Sequence, residues 1–146
     1  MDAKDLMIDD WVEVTRTECV ADGGHYITWS EYGKVVGITD SYIEVEVRDG
    51  EYNVDAHEDE LKPIPLTPEI LEKNGFELKG DGWLWCEDKD VEEQNYSFVQ
   101  FRRDGEVRVV EINHLNKAVT KFRNIQNVHE LQHALKLCGI DKEIEL

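Results

Sequence analysis

The segment Tyr42-Ile43-Glu44-Val45-Glu46-Val47 decides the fold of the first half of this chain. Its apolar and acidic residues alternate, so Ile43, Val45 and Val47 lie on one side of a strand and the two glutamates on the other. A strand of this kind belongs to a sheet that is buried on one face and exposed to water on the other. The segment therefore predicts an antiparallel sheet.

Further strands are predicted before this segment, because β-branched and aromatic residues recur there between turn residues. The predicted strands are Trp11–Val14, His25–Trp29 and Lys34–Thr39, and the predicted turns are Asp22-Gly23-Gly24, Asp40-Ser41 and Asp49-Gly50. We therefore expect residues 1–64 to form a small, strongly bent antiparallel sheet or an SH3-like barrel.

A short helix is predicted where two prolines interrupt the chain after the first sheet. Thr67 is the expected N-cap, and Pro68 occupies the first helical position, where its missing N–H costs nothing. Gly75 ends the helix in a left-handed conformation, and Phe76 follows it at the apolar position of a Schellman motif. These signals predict a linking helix over residues 68–74.

The second half returns to strands and closes with a helix. Asp104-Gly105 predicts a hairpin between two strands, and an acidic run over Glu87–Glu93 predicts a loop. Near the end, Val128, Leu131 and Leu135 share one face of a helix that Gly139 terminates. The predicted strands are Trp83–Cys86, Tyr96–Arg102, Glu106–Ile112 and Ala118–Phe122.

Together these patterns predict an α+β protein with two halves. Residues 1–64 form the small sheet or barrel, and residues 65–146 form an antiparallel sheet that the terminal helix covers. At 146 residues the chain has room for one ordinary domain or two small ones. We expect the two halves to pack as one unit.

Charge is spread unevenly along the chain, whose formal net charge is -17. Residues 1–74 carry 19 acidic and 6 basic side chains, whereas residues 75–146 carry 14 and 10. Such a field repels nucleic acids and membrane surfaces and favours a basic partner, although acidic surfaces also serve solubility. Within residues 94–128 basic side chains outnumber acidic ones, which indicates a contact face there.

The segment His129-Glu130-Leu131-Gln132-His133 matches the zinc-protease pattern, in which two histidines four residues apart share a zinc ion. Only thirteen residues follow this segment, and His114 is the one plausible third ligand. A simpler interpretation makes Asn127 the N-cap and Glu130 the third residue of a capping box. We therefore favour no metal site, and retain His129, His133 and Glu130 as metal candidates only.

A second candidate site combines aromatic and basic side chains of the second half. Trp83 and Trp85 point to the same side of their strand, where tryptophans more often belong to the core than to a ligand site. A groove is expected if one of them is exposed beside an arginine. The candidate ligand or partner face consists of Trp83, Trp85, Arg102, Arg108, Lys121 and Arg123.

The sequence contains no phosphate-binding glycine loop, no nucleophile elbow and no C-x-x-C pair, so we assign no catalytic residue and no cofactor. Its three cysteines have no paired spacing, which is typical of a reducing cytoplasm. The first residues lack the basic and apolar regions of a signal peptide, and no apolar run reaches the length of a membrane span. We expect a cytoplasmic protein.

Three segments carry a resemblance to a known group of sequences: Leu6–Val12, Leu61–Phe76 and Val128–Leu135. Through them the chain resembles, over nearly its whole length, a family of uncharacterised proteins of Bacteroides genomes, prophages and other mobile elements. The resemblance carries no established activity. It implies a terminal helix around a His-x-Leu-Gln core in which the second histidine is not required.

These observations lead us to expect a non-enzymatic accessory protein, encoded by a phage or mobile element, that binds an unknown protein partner. The acidic first half and the local basic face are its candidate surfaces. One alternative is a phage counter-defence protein, which acts as an acidic decoy of nucleic acid or as a sponge for a nucleotide signal. The other alternative is a zinc metallohydrolase using His129, Glu130 and His133.

Overall fold

A computed structural model describes residues 1–20, 23–87 and 96–146 of the chain. These residues form two compact units, Met1–Ile64 and Pro65–Leu146. Of the predicted loop over Glu87–Glu93, only Glu87 belongs to the described residues, and it ends a strand. Asp22 of the predicted first turn also lies outside them.

The first unit contains one antiparallel sheet of five strands in the order β4-β3-β2-β1-β5. In the described part of this unit β4 and β5 are not paired with each other, so the sheet is not closed by hydrogen bonds. The SH3-like barrel stays a prediction. The strands are β1 Trp11–Val20, β2 His25–Ile38, β3 Ile43–Val47, β4 Tyr52–Ala56 and β5 Leu61–Pro63, with 3-10 turns at Ala3–Asp5, Arg48–Gly50 and Glu58–Glu60.

The core of the first unit lies on the apolar side of β3. Ile43, Val45 and Val47 are at most 2% exposed, as their alternation with glutamates predicts. Apolar residues of β1, β2, β4 and β5 and the buried Leu6 complete the same cluster. The two glutamates of β3 lie on the opposite, outer side of the sheet.

β2 is one strand of fourteen residues, although the sequence predicts two strands separated near Gly33. Gly33 continues the strand and pairs with Val12 of β1 and Val47 of β3. The register shifts between Val35 and Gly37, which marks a β-bulge. The predicted interruption is therefore wrong, because Gly33 serves close packing rather than a turn.

The second unit contains another antiparallel sheet of five strands, in the order β10-β9-β8-β7-β6. Together with its two helices, this sheet makes the chain an α+β protein, as predicted. The elements are α1 Pro68–Lys73, β6 Glu77–Lys79, β7 Gly82–Glu87, β8 Tyr96–Arg102, β9 Val107–Ile112, β10 Lys117–Phe122 and α2 Val128–Leu137.

The residues predicted to begin α1 and to end both helices do so in the structure. The Thr67 hydroxyl accepts a hydrogen bond from the Ile70 N–H at 3.3 Å, which caps the start of α1. Gly75 has φ +79°, and the Phe76 N–H donates to the Leu71 carbonyl at 3.0 Å, which is the Schellman bond. The same arrangement follows α2, where Gly139 has φ +68°.

Both helices lie on the same face of the second sheet. A hydrogen bond connects the Cys138 thiol, at the end of α2, with Thr120 of β10. The turn after α1 places Gly75 close to Trp85 of β7. The C-terminal segment, which follows α2, is attached to the end of α1. The side chain of Asn74, which ends α1, forms hydrogen bonds with the backbone N–H and carbonyl of Glu145 at 2.8 Å each. This face, here called the covered face, carries the core of the second unit.

Within the described residues, neither helix has the length and apolar character that crossing a membrane requires.

Candidate functional site

Glu130 of the zinc-protease pattern closes the N-terminal end of α2. Its carboxylate accepts hydrogen bonds from the backbone N–H groups of Gln126, at 2.7 Å, and Asn127, at 2.9 Å. The capping-box interpretation is therefore confirmed. In a zinc hydrolase the same carboxylate would have to activate a metal-bound water. Its bonds to two amides favour a structural role instead.

The two histidines of the pattern contact each other. Their ring centroids lie 5.7 Å apart at an interplanar angle of 81°, and His129 is buried while His133 is partly exposed. Within residues 1–20, 23–87 and 96–146, no three His, Cys, Asp or Glu side chains are arranged to hold a metal ion. The pair His129 and His133 thus receives no third ligand from the described residues.

Trp83 and Trp85 point to the covered face of the second sheet. They pair with Phe101 and Val99 of β8, and residues directly opposite each other in an antiparallel sheet share a face. Trp83 is 7% exposed, and Trp85 packs against Phe76 with ring centroids 6.4 Å apart. Both tryptophans therefore belong to the packing beneath the helices.

Lys142 places its ammonium group over the ring of Trp85, 4.8 Å from the centroid. This cation–π contact holds the C-terminal segment against the covered face. Burial lowers the pKa of the Lys142 ammonium group, and the nearby Glu145 carboxylate partly opposes that shift. The site is a structural contact within the unit, since the lysine already occupies the aromatic face.

Arg102, Arg108 and Lys121 lie on the other face of the second sheet. Arg102 is opposite Gly82, and Arg108 is opposite Lys121. Glu106 forms ion pairs with both arginines, with Arg102 at 3.7 Å and more closely with Arg108. The structure therefore brings these basic residues together.

The structure does not bring the tryptophans together with the basic residues. Trp83 and Arg102 belong to neighbouring strands, but their positions alternate, so their side chains leave the sheet in opposite directions. Arg123, the last candidate, is exposed just beyond the end of β10. The face predicted from the sequence is thus divided between two sides of one sheet.

An apolar band crosses the sheet beside the basic residues. Cys86, Phe98, Val110 and Val119 stand opposite one another on β7, β8, β9 and β10 and form one row. Leu84 and Ile112 extend the row on either side. Val119 is 45% exposed, so the band reaches solvent at the edge strand.

We call this side of the second sheet the open face. In the described part of the second unit, both helices pack on the covered face and none on this one. Its apolar band consists of Leu84, Cys86, Phe98, Val110, Ile112 and Val119, and its basic border consists of Arg102, Arg108, Lys117 and Lys121. An apolar centre beside charged side chains is typical of protein interfaces.

A cleft in the first unit is lined by more acidic than basic side chains. The cleft has a volume of about 810 Å³ and lies beside the 3-10 turns at Ala3–Asp5 and Glu58–Glu60. One basic side chain, Lys4, lines it together with four carboxylates, those of Asp2, Asp40, Glu58 and Asp59. The carboxylates disfavour nucleotides and other anions in this cleft.

Glu31 anchors a second polar cluster of the first unit. Its carboxylate accepts hydrogen bonds from the Tyr52 hydroxyl at 2.8 Å and from Arg48 Nε at 2.7 Å. The Tyr52 bond and then the Arg48 bond lower the pKa of Glu31, whereas the bond to Glu31 raises the pKa of Tyr52. The cluster connects the start of β4 and the 3-10 turn before it to β2.

No protein-family model matches this chain, and comparisons with curated proteins and with solved structures give no match either.

The apolar band, which is the central part of the open face, is not among the sites predicted from the sequence. The sequence does contain a sign of this band. The neighbours Phe98 and Val99 put one apolar residue on each face of β8, and Val119 lies between two lysines in β10. Both faces of β8 and β9 are apolar, so periodicity alone did not show which side the helices cover. The strand pairing shows it, because it places Phe98 opposite Val110 and away from the tryptophans.

Proposed function

We propose that this chain is a non-enzymatic binding protein that receives a partner protein on the open face of its second unit. The supporting observation is an apolar row with a basic border, on a chain whose net charge is -17. Arg108 and Lys121 stand side by side at this border, and its four basic side chains outnumber the carboxylate of Glu106, which pairs with the two arginines. Local positive charge on so acidic a chain favours a contact role over a role in solubility.

The composition of the open face specifies the chemistry of its partner. The partly exposed Phe98 and the exposed Val119 offer an apolar centre, around which a partner excludes water. Arg108 and Lys121 favour carboxylates at the rim of the partner, where charge pairs set specificity and association rate. The partner surface is therefore apolar with acidic side chains along one border.

The first unit adds a second electrostatic preference. Residues 1–64 contain 17 acidic and 5 basic side chains, and this excess repels acidic proteins at long range. A partner with a separate basic region would be favoured, which is the sequence-based expectation for the acidic half. Its encoding by a phage or mobile element stays a prediction from the resemblance.

The test replaces Val119, the exposed end of the apolar band, with aspartate. Leu115→Asp is the matched control, because Leu115 is 83% exposed in the turn between β9 and β10 and lies outside the band. Proteins captured from the native host are compared by mass spectrometry, and the affinity of the enriched protein is then measured by calorimetry. Val119→Asp is expected to weaken binding about tenfold or more, which is about 1.4 kcal/mol.

A second pair of variants tests the basic border, and both variants change the net charge of the chain by the same amount. Lys121→Glu removes a border lysine, and Lys136→Glu reverses an exposed lysine on α2. The first should weaken binding and reduce its salt dependence, whereas the second should leave both unchanged. Equal affinities of Val119→Asp and Leu115→Asp for the partner would contradict the proposal.

The same variants separate the alternative functions. A nucleotide sponge would bind a nucleotide from a panel tested by calorimetry, and Arg108→Gln would abolish that binding. A decoy of nucleic acid would capture a nucleic-acid-binding protein through the first unit, independently of Val119. A metallohydrolase would purify with stoichiometric zinc that His129→Ala removes.

A further inference from the structure

The hairpin of β1 and β2 extends beyond the rest of the first sheet. β5 pairs with β1 only at Val12–Val14, and β3 pairs with β2 only from Gly33 to Ile38. Residues 15–20 and 25–30 therefore form a two-stranded ribbon, for which the described strands supply no third strand. An edge strand of this kind presents backbone N–H and C=O groups that another strand can pair with.

The β2 side of the ribbon lacks the features that normally protect an edge. The segment His25-Tyr26-Ile27-Thr28-Trp29-Ser30 has no acidic or basic side chain other than a histidine, no proline and no glycine. Tyr26 is 73% exposed and Ile27 is 55% exposed. β-Branched and aromatic residues with low charge favour strand pairing between chains.

Among the strands formed by residues 1–20, 23–87 and 96–146, every other edge carries charge or proline. The free end of β1 contains Arg16 and Glu18, which hinder pairing with an unrelated strand. The edge strands are protected by Asp55 in β4, Lys62 and Pro63 in β5, Glu77 and Lys79 in β6, and Lys117 and Lys121 in β10. The contrast singles out residues 25–30 as an edge that is suited to pairing.

We propose that residues 26–30 of this edge pair in antiparallel fashion with the same residues of a second copy of this chain. The absence of charge supports this occupant, because elsewhere the first unit carries the excess of acid that keeps two copies apart. A two-fold axis at Thr28 sets Ile27 of one copy opposite Trp29 of the other, on the same face of the joined ribbon. On the other face of the joined ribbon, the Thr17–Thr28 and Thr15–Ser30 hydroxyl contacts within each copy stay unchanged.

The dimer is weak and strengthens with salt. Five residues per copy bury much less than the ~800 Å² per partner of a stable interface, so association depends on concentration. Each copy carries a net charge of -17, and salt screens the repulsion between the copies. Binding of a partner to the basic border of the open face has the opposite dependence on salt, so failure of one proposal does not affect the other.

The experiment measures the mass of the full chain by sedimentation equilibrium, from low micromolar to near-millimolar concentration and at two salt concentrations. Ile27→Lys should abolish the dimer, whereas the control Ile8→Lys, at another exposed isoleucine of the same unit, should preserve it. Far-UV circular dichroism checks that both variants are folded.

Hydrogen exchange of the unaltered chain locates the contact without any variant. Amides of residues 26–30 should exchange more slowly at high than at low concentration. A monomer at every concentration and salt would overturn the proposal, and so would a dimer that protects the open face and leaves residues 26–30 unchanged.

Discussion

Replacement of Gly33 by alanine tests the packing of the first unit most directly. Gly33 lies within β2, beside the apolar side of β3. A Cβ atom at this position would lie 2.5 Å from Val45 Cγ1, 2.8 Å from Val47 Cγ1 and 2.6 Å from the Glu46 carbonyl oxygen. Such distances are far below van der Waals contact, so β2 and β3 would have to separate.

The expected loss in free energy of unfolding depends on which of the atoms around Gly33 can move. Overpacking of a core by one carbon typically costs about 1–3 kcal/mol. The Glu46 carbonyl belongs to the backbone of a paired strand, and both valines are buried, so relief requires a shift of the sheet itself. We expect Gly33→Ala to reach the upper part of that range. An alanine restricts the unfolded chain and returns only about 0.4–1 kcal/mol.

Gly37→Ala is the matched control on the same strand. Its Cβ would lie 3.0 Å from Glu44 Oε2, at the end of a partly exposed side chain that can turn, and 3.2 Å from Glu44 Cβ, which has to shift only slightly. We expect a change of less than about 1 kcal/mol for this variant. The two variants thus differ in how closely the new methyl group approaches its neighbours and in whether the nearest atom can move.

The assay is equilibrium urea unfolding, followed by tryptophan fluorescence and circular dichroism. For a unit of this size, 1 kcal/mol corresponds to a shift of about 4–8 °C in Tm, so thermal melts resolve the difference as well. Equal stabilities of the two variants would refute the reasoning, because they would show that β2 and β3 tolerate a methyl group between them.

Two further predictions concern polar contacts. Glu130→Ala should destabilise the protein by about 0.5–2 kcal/mol in urea unfolding, because the backbone amides of Gln126 and Asn127 just before α2 lose their acceptor. His133→Ala should change stability much less, and equal losses would contradict the capping role. Glu31→Gln should lower stability at neutral pH but not in acid. The folded pKa of Glu31 lies below its ordinary value of 4.5, so its contribution is present above that pH and disappears as the pH falls through the folded pKa. A difference from the parent that stays constant across this range in urea unfolding would argue against the Glu31 cluster.

Local signals predicted most of the fold. The helix ends at Gly75 and Gly139, the hairpin at Gly105 and the buried side of β3 follow from short-range rules, which act within a few residues. β4 was not identified, because Asn53 and Asp55 have low strand propensity and the strand forms through pairing with β3. Pairing between segments that are distant in the sequence cannot be predicted from either segment alone.

The candidate site was predicted less well, for a related reason. Alternation correctly placed Trp83 and Trp85 on the same side of β7. It could not show that Arg102 leaves the neighbouring strand on the opposite side, because this depends on the register between β7 and β8. A shift of one residue in that register would have put the tryptophans and Arg102 on the same face.

The two proposed interfaces respond to salt in opposite directions because charge is distributed unequally over the chain. At the open face Arg108 and Lys121 attract carboxylates, so added salt weakens that contact. At the ribbon, uncharged strands of two acidic copies approach each other, and added salt removes the repulsion that opposes them. Low salt therefore favours a single copy bound to its partner, and high salt favours the dimer. One titration of the parent chain with salt, in the presence of its partner, follows both equilibria at once.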